Sequence, residues 1–168
     1  MAEVRRVPMA ELAPVIGQVL SGGGTVDMTT AGISMLPMLE DRKSTVRLTT
    51  PGLLRRGDVA LYRYPDGKFM LHRVIRVCGD SLDCRGDHNL QTERNIRAEW
   101  VLAVVTDFTR RGKWHSCRSF GYGLYWRALL LTFPARRLFL RGAHFLKRIL
   151  EKNRPSKKPS DRRLRREG

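Results

Sequence analysis

The sequence predicts a mainly β fold: a domain of short antiparallel strands, with a short N-terminal helix before it and a C-terminal basic amphipathic helical extension after it. Three observations lead there. Between residues 25 and 110 the apolar residues fall in short β-branched runs cut by Gly, Pro, Asp and Asn, the pattern of strands joined by tight turns. Before residue 21 and after residue 124 the apolar spacing takes the three-and-four rhythm of helices. The charge changes where the rhythm does: residues 1–110 hold 15 Lys and Arg against 13 Asp and Glu, whereas residues 111–168 hold 17 against 3.

Taken in order, residues 8–20 read as a helix with Leu12, Val15, Ile16 and Val19 on one side, ended by Ser21-Gly22-Gly23-Gly24. Strands follow over Thr25–Thr30, Thr45–Leu48, Asp58–Tyr64, Phe69–Val77, Ser81–Arg85 and Val101–Thr109. Pro65-Asp66-Gly67 is a strong turn signal between the third and fourth, and makes that hairpin the clearest local feature. Arg110-Arg111-Gly112-Lys113 closes a domain spanning 25–113, and the polar, Gly-containing stretch 114–123 reads as a linker.

From Leu124 the period is helical, divided by Pro134. On a wheel of about 100° per residue, Leu138, Phe139, Gly142, Ala143, Phe145, Leu146, Ile149 and Leu150 fill one half of the stretch 136–152. Arg136, Arg137, Arg141, His144, Lys147, Arg148, Glu151 and Lys152 fill the other, with Leu140 alone misplaced. Such a helix can lie in a membrane interface with its apolar face down. Residues 153–168 are too charged and too Pro-broken to fold alone, and read as a disordered basic tail. The partner expected for residues 124–168 is an anionic membrane surface, with nonspecific nucleic-acid binding as the alternative.

Composition excludes several classes. No stretch of about 18 uncharged apolar residues is present, so a membrane-spanning helix is not expected. The first 20 residues lack the apolar block and small-residue cleavage site of a secretory signal. The expected location is therefore cytoplasmic, peripheral on the cytoplasmic face of a membrane. Cys78, Cys84 and Cys117 are too few and too spread for a zinc site, and no metal or cofactor is expected. Cys78 and Cys84 flank a turn at Gly79-Asp80-Ser81, where a cross-hairpin disulfide is conceivable, but reduced thiols are the expectation.

Four segments carry the candidate chemistry: Gly32-Ile33-Ser34-Met35-Leu36-Pro37, Arg56-Gly57-Asp58-Val59, Leu71-His72-Arg73-Val74 and Arg85-Gly86-Asp87-His88-Asn89. Ser34 follows a strand in a turn bracketed by Gly32 and Pro37, where a hydroxyl can be exposed and held. A serine hydroxyl becomes a useful nucleophile only when a neighbouring base takes its proton. His72 sits at mid-strand on the face of Met70 and Val74, and an unperturbed imidazole is a base near neutral pH. Asp87, after the next strand, could hold the ring in the productive tautomer.

The order and wording of these segments resemble the type I signal peptidases and their relatives, the wider group that includes the self-cleaving repressor proteases. Gly32–Pro37 is similar to the family's Gly-x-Ser-Met-x-Pro nucleophile segment, and Arg56–Val59 to its Arg-Gly-Asp-Val strand opening. His72-Arg73-Val74 matches the strand that carries the base. Gly86-Asp87 matches its Gly-Asp-Asn, with His88 in place of the first Asn and Asn89 after it. The resemblance runs from about Thr25 to Lys113.

It implies a serine endopeptidase cutting a peptide or protein precursor after small residues. Its implied catalytic residues are Ser34, His72 and Asp87, and its substrate-binding residues are Gly32, Ile33, Met35 and Pro37. Three departures matter. Bacterial members generally use a lysine base, and His72 looks like the archaeal and endoplasmic-reticulum branch. Gly32 offers no hydroxyl to an oxyanion, and losing one such donor typically costs about 3–4 kcal/mol. That branch also carries a second acid after Gly-Asp, for which Glu93 is the nearest candidate, so the orienting carboxylate is Asp87 or Glu93. A catalytically idle relative that binds lipid or nucleic acid through its tail is the rival expectation.

Overall fold

The computed structural model describes residues 7–152, with side chains up to Ala135 and at Leu138. The chain divides after Leu131 into two compact units. The tail expected at 153–168, and the side chains that would form the two faces of 136–152, lie outside the described residues.

The first unit begins with helix α1 (Met9–Ser21). Its buried stripe is Ile16 and Leu20, with Met9 and Leu12 packed partly against the core. Val15 and Val19, expected on that face, are exposed; the buried line follows the i, i+4, i+8 row through Leu12, Ile16 and Leu20 instead. The N–H groups of Gly22, Gly23 and Gly24 donate to the carbonyls of Gln18, Leu20 and Val19, closing the helix.

Strands β1 (Val26–Thr29), β2 (Thr45–Thr49), β3 (Val59–Arg63), β4 (Phe69–Cys78), β5 (Ser81–Arg85), β6 (Glu93–Arg97), β7 (Val101–Arg110) and β8 (Lys113–Ser116) form one antiparallel sheet. The order is β1-β2-β7-β3-β4-β5-β6, with β8 added to β7. Turn chemistry sets the hairpins. Between β3 and β4, Gly67 adopts φ 89°, its N–H donates to the Tyr64 carbonyl, and Lys68 N–H donates to Asp66 Oδ1. This is a three-residue loop with its left-handed position filled by glycine. Between β7 and β8, Arg111 and Gly112 take φ 51° and 75°, the doubly left-handed pair of a tight hairpin.

That hairpin corrects the expected linker at 114–123: Lys113–Ser116 is a strand, and helix α2 begins at Phe120. Helix α2 (Phe120–Lys152) also runs through Pro134, where the sequence suggested a division. The thiols of Cys78, Cys84 and Cys117 are all free. Register explains why Cys78 and Cys84 do not pair: Cys78 faces Ser81 and Cys84 faces Val74. Burial pushes the Cys84 and Cys117 thiols up to about 12.

The apolar interior has two clusters. One gathers Ile16, Leu20, Met35, Met38, Leu39, Val46, Leu48, Leu61, Val105 and Tyr122. The other gathers Ala60, Tyr62, Val74, Leu82, Cys84 and Ile96 around the β3–β6 half of the sheet. Among the described residues no helix is long and apolar enough to cross a membrane.

Candidate active site

Ser34 lies in a turn that follows β1 and is fixed at several points. Gly32 adopts φ 104°, a left-handed conformation open to glycine, and its N–H donates to Asp41 Oδ1 at 2.7 Å. Met35, Met38 and Leu39 plug the turn into the core at 4%, 1% and 2% exposure. The Leu36–Pro37 peptide is cis. From the other side, His88 N–H donates to the Ser34 carbonyl at 2.8 Å. A Cβ on Gly86 would stand 2.6 Å from that same carbonyl oxygen, so the glycine of Gly86-Asp87-His88-Asn89 is required by close approach to the serine turn.

His72 sits in the middle of β4 opposite Ala60, 1% exposed. Its Nδ1 lies 3.0 Å from Glu93 Oε2. Glu93 opens β6 opposite Cys84, which in turn faces Val74 on β4. The Tyr62 hydroxyl donates to the same Glu93 oxygen and stands 3.4 Å from Nδ1. Burial raises the Glu93 carboxyl, but the hydrogen bonds from His72 and Tyr62 outweigh it and hold the group below its ordinary value of 4.5. Burial and the Glu93 bond drive the Tyr62 phenol well above its usual range, so it stays a donor.

Ser34 and His72 line one cleft of about 140 Å³, together with Thr30, Ala31, Gly32, Met35, Leu39 and Phe69–Leu71. Neither side chain bonds the other within it. With Nδ1 facing Glu93, Nε2 is the ring nitrogen left to take a proton. No hydrogen bond from Nε2 is present among the described residues. Residues Phe69–His72 pair with β3 along one edge only, because pairing with β5 starts at Arg73. Beside the cleft, a second hollow of about 240 Å³ continues past Met28, Leu12 and Met9.

Two of the residues expected to contact substrate, Gly32 and Met35, line the cleft. Ile33, 59% exposed, and Pro37 do not. Asp87 is placed differently from its expected role: its carboxylate is bound to Arg73, not to His72. Arg73 Nε and Nη2 donate to Asp87 Oδ1 and Oδ2 at 2.8 and 2.7 Å, and Tyr125 Oη donates to Oδ2 at 3.0 Å. Side chains alternate along a strand, so neighbouring His72 and Arg73 point to opposite faces and meet different acids. Arg73 is fully buried, and its Nη1 also donates to the Gly57 carbonyl at 2.8 Å and to Tyr122 Oη at 2.7 Å. Burial lowers its pKa, but the Asp87 pair and Tyr122 more than offset that and keep it charged. The four sequence segments thus meet physically, through Arg73 and the Ser34 carbonyl.

Tyr62 was hidden in the apolar run Ala60-Leu61-Tyr62, which reads only as buried strand. Glu93 was the first acid after Gly86-Asp87, its one available signal. Comparison of the sequence with protein-family models and with curated proteins gives no match to either.

Proposed function

We propose that the protein is a serine endopeptidase with a signal-peptidase-like catalytic unit, cutting a peptide or precursor protein after small residues. The observation that carries this reading is the shared cleft of Ser34 and His72 with Glu93 bonded to the far ring nitrogen. Glu93 holds the proton on Nδ1, so Nε2 is free to accept the Ser34 hydroxyl proton as Oγ attacks the scissile carbonyl. The imidazolium formed is stabilised by the Glu93 carboxylate and returns the proton to the leaving amine. The acyl-serine is then hydrolysed by water, with Nε2 as base again. Ser34 N–H, which donates to no group among the described residues, is the donor available to the oxyanion. An extended substrate strand fits the open edge of Phe69–His72, its small side chains entering the shallow hollow.

Location on a membrane surface is part of the same proposal. Phe120, Leu124 and Leu131 are 88%, 61% and 80% exposed, and fall within about 40° on a helical wheel. The basic residues that follow supply attraction to anionic headgroups.

The test is a peptide-library digest read by mass spectrometry, with anionic vesicles present, comparing wild type with Ser34→Ala and His72→Ala. Cuts made by wild type and lost in both folded variants are expected. Equal cutting by either variant refutes the mechanism, and absence of cutting by wild type favours an idle relative that binds through its basic segment.

A further inference from the structure

The run Gly86-Asp87-His88 grips one atom of the nucleophile's backbone. His88 N–H donates to the Ser34 carbonyl at 2.8 Å, and Gly86 approaches the same oxygen so closely that a Cβ would stand 2.6 Å from it. Asn89 N–H closes the run by donating to the Gly86 carbonyl at 2.9 Å. The gripped carbonyl is bonded to the Cα that carries the serine side chain. Displacing the run therefore tilts Ser34 Oγ away from the His72 ring, and a misplacement of about 1 Å can cost about 10²-fold in rate.

The side chain in the middle of this run is held from two elements. Asp87 is 3% exposed, and Arg73 of β4 donates to both of its carboxylate oxygens. From α2, Tyr125 Oη donates to Oδ2 at 3.0 Å. The Arg73 fork fixes the carboxylate in its plane, and the bond from α2 resists pivoting about that fork. Tyr125 also lies with its ring centroid 5.6 Å from the Arg73 guanidinium, within cation–π range. Tyr122, on the same side of the helix, is buried and accepts from Arg73 Nη1 at 2.7 Å, which anchors this part of α2. Burial and the facing Asp87 carboxylate push the Tyr125 phenol above its usual range, so it stays a donor.

We propose that Tyr125 is a positioning residue for the nucleophile. Its hydroxyl fixes Asp87, Asp87 fixes the backbone from Gly86 to His88, and that backbone fixes the Ser34 carbonyl and with it Oγ. The catalytic consequence rests on the reading of Ser34 as the nucleophile of a peptidase. It makes peptide cleavage depend on the start of α2 in solution, with no membrane present.

The test compares the full chain carrying Tyr125→Phe, which keeps the ring and loses the hydroxyl, with wild type and with Trp126→Phe. Trp126 packs against Gly57 and serves as the control for lost packing alone. All three are assayed without vesicles and below their melting temperatures. In Tyr125→Phe the His88 amide proton should exchange about tenfold faster by NMR, and kcat should fall about tenfold with KM unchanged, the scale of one hydrogen bond to a charged group. Trp126→Phe should lower the melting temperature and leave both values as in wild type. Wild-type kcat in Tyr125→Phe overturns the proposal, as does a loss of kcat without a change at His88. A loss of kcat in both variants that tracks their melting temperatures also overturns it, because a structural role alone then accounts for Tyr125. If Tyr125→Phe does not fold, Tyr125→Met, whose flexible side chain fills irregular space, takes its place. If wild type cuts no peptide, the rate at which an alkyl fluorophosphonate labels Ser34 replaces kcat. A wild type that neither cuts nor labels removes the peptidase reading. The His88 exchange then decides by itself whether Tyr125 holds the serine turn, and unchanged exchange overturns that as well.

Discussion

Asp87 and Glu93 differ in what they hold, and that difference separates structure from chemistry at single residues. Asp87 neutralises a fully buried Arg73 that also braces Gly57 and Tyr122. Removing one member of such a pair leaves an uncompensated buried charge, at a cost of about 3–5 kcal/mol. Asp87→Asn should therefore lower the melting temperature sharply in a thermal unfolding experiment. The Glu93 side chain is 23% exposed and touches His72 and Tyr62. Glu93→Gln should lower the melting temperature less than Asp87→Asn does, because Glu93 neutralises no fully buried cation, but on the proposed mechanism it should drop kcat by about 10⁴, the size of effect seen when a triad carboxylate becomes an amide. If the two variants exchange these phenotypes, the assignment of Glu93 as orienting group is wrong. Acid adds a further test. The Glu93 carboxyl is held below its ordinary 4.5 in the folded state, so its stabilising contribution is complete above that value. It is lost as pH falls through the folded-state pKa, and the unfolding free energies of wild type and Glu93→Gln should converge there. Ser34 and His72 were legible in the sequence because each sits in a local motif. The choice between Asp87 and Glu93 as the acid beside His72 was not, since a pairing across β4, β5 and β6 depends on the register of two hairpins and a bulge in each.

At the scale of elements, the first turns of α2 belong to the β unit. Tyr122 is 7% exposed inside the larger core cluster and donates from Oη to the Gly57 carbonyl at 2.8 Å. Trp126 lies against Gly57, where a Cβ would come within 2.6 Å of its ring. A chain ending at Leu131 should keep the full melting temperature. One ending at Ser119 loses Tyr122, Tyr125 and Trp126, and should lose at least the roughly 3–5 kcal/mol of one large buried aromatic. Equal stability of the two truncations would show that these rings cover the sheet without supporting it. The sequence placed six strands to within about two residues because turn signals and β-branched runs bounded them. It missed β6 (Glu-Arg-Asn-Ile-Arg) and β8 (Lys-Trp-His-Ser), whose burial gives almost no apolar alternation. Both are held by pairing to a neighbouring strand, which leaves no trace in local composition. The helical rhythm after Leu124 was visible, but its true start at Phe120 was masked by Gly121 and Gly123.

Across the whole molecule, the excess of basic charge lies toward the C-terminal end, and helix α2 exposes several large apolar side chains. Residues 132–168 carry 13 Lys and Arg against 3 Asp and Glu, and the exposed side chains of α2 include Phe120, Leu124, Leu131 and Leu138. Each Lys or Arg close to an anionic bilayer contributes roughly 1 kcal/mol, so on the proposed membrane association even a fraction of these residues should hold the chain at low salt. The full chain should sediment with phosphatidylserine vesicles in 0.1 M salt and stay in solution with phosphatidylcholine alone. The chain ending at Leu131 should stay in solution with both. Raising salt to 1 M shortens the screening length from about 10 Å to about 3 Å, which should release most of the bound protein. Protein still bound at 1 M has its apolar residues inserted, and the distribution between the two fractions measures how far α2 penetrates. Equal sedimentation of both chains would remove the extension from the membrane contact. Competition by duplex DNA at matched charge then distinguishes a surface selective for lipid, which DNA displaces weakly, from a general polyanion binder, which DNA displaces completely. A lipid-selective result also predicts faster cutting of a vesicle-tethered peptide than of the same peptide in solution, because both partners are confined to one surface.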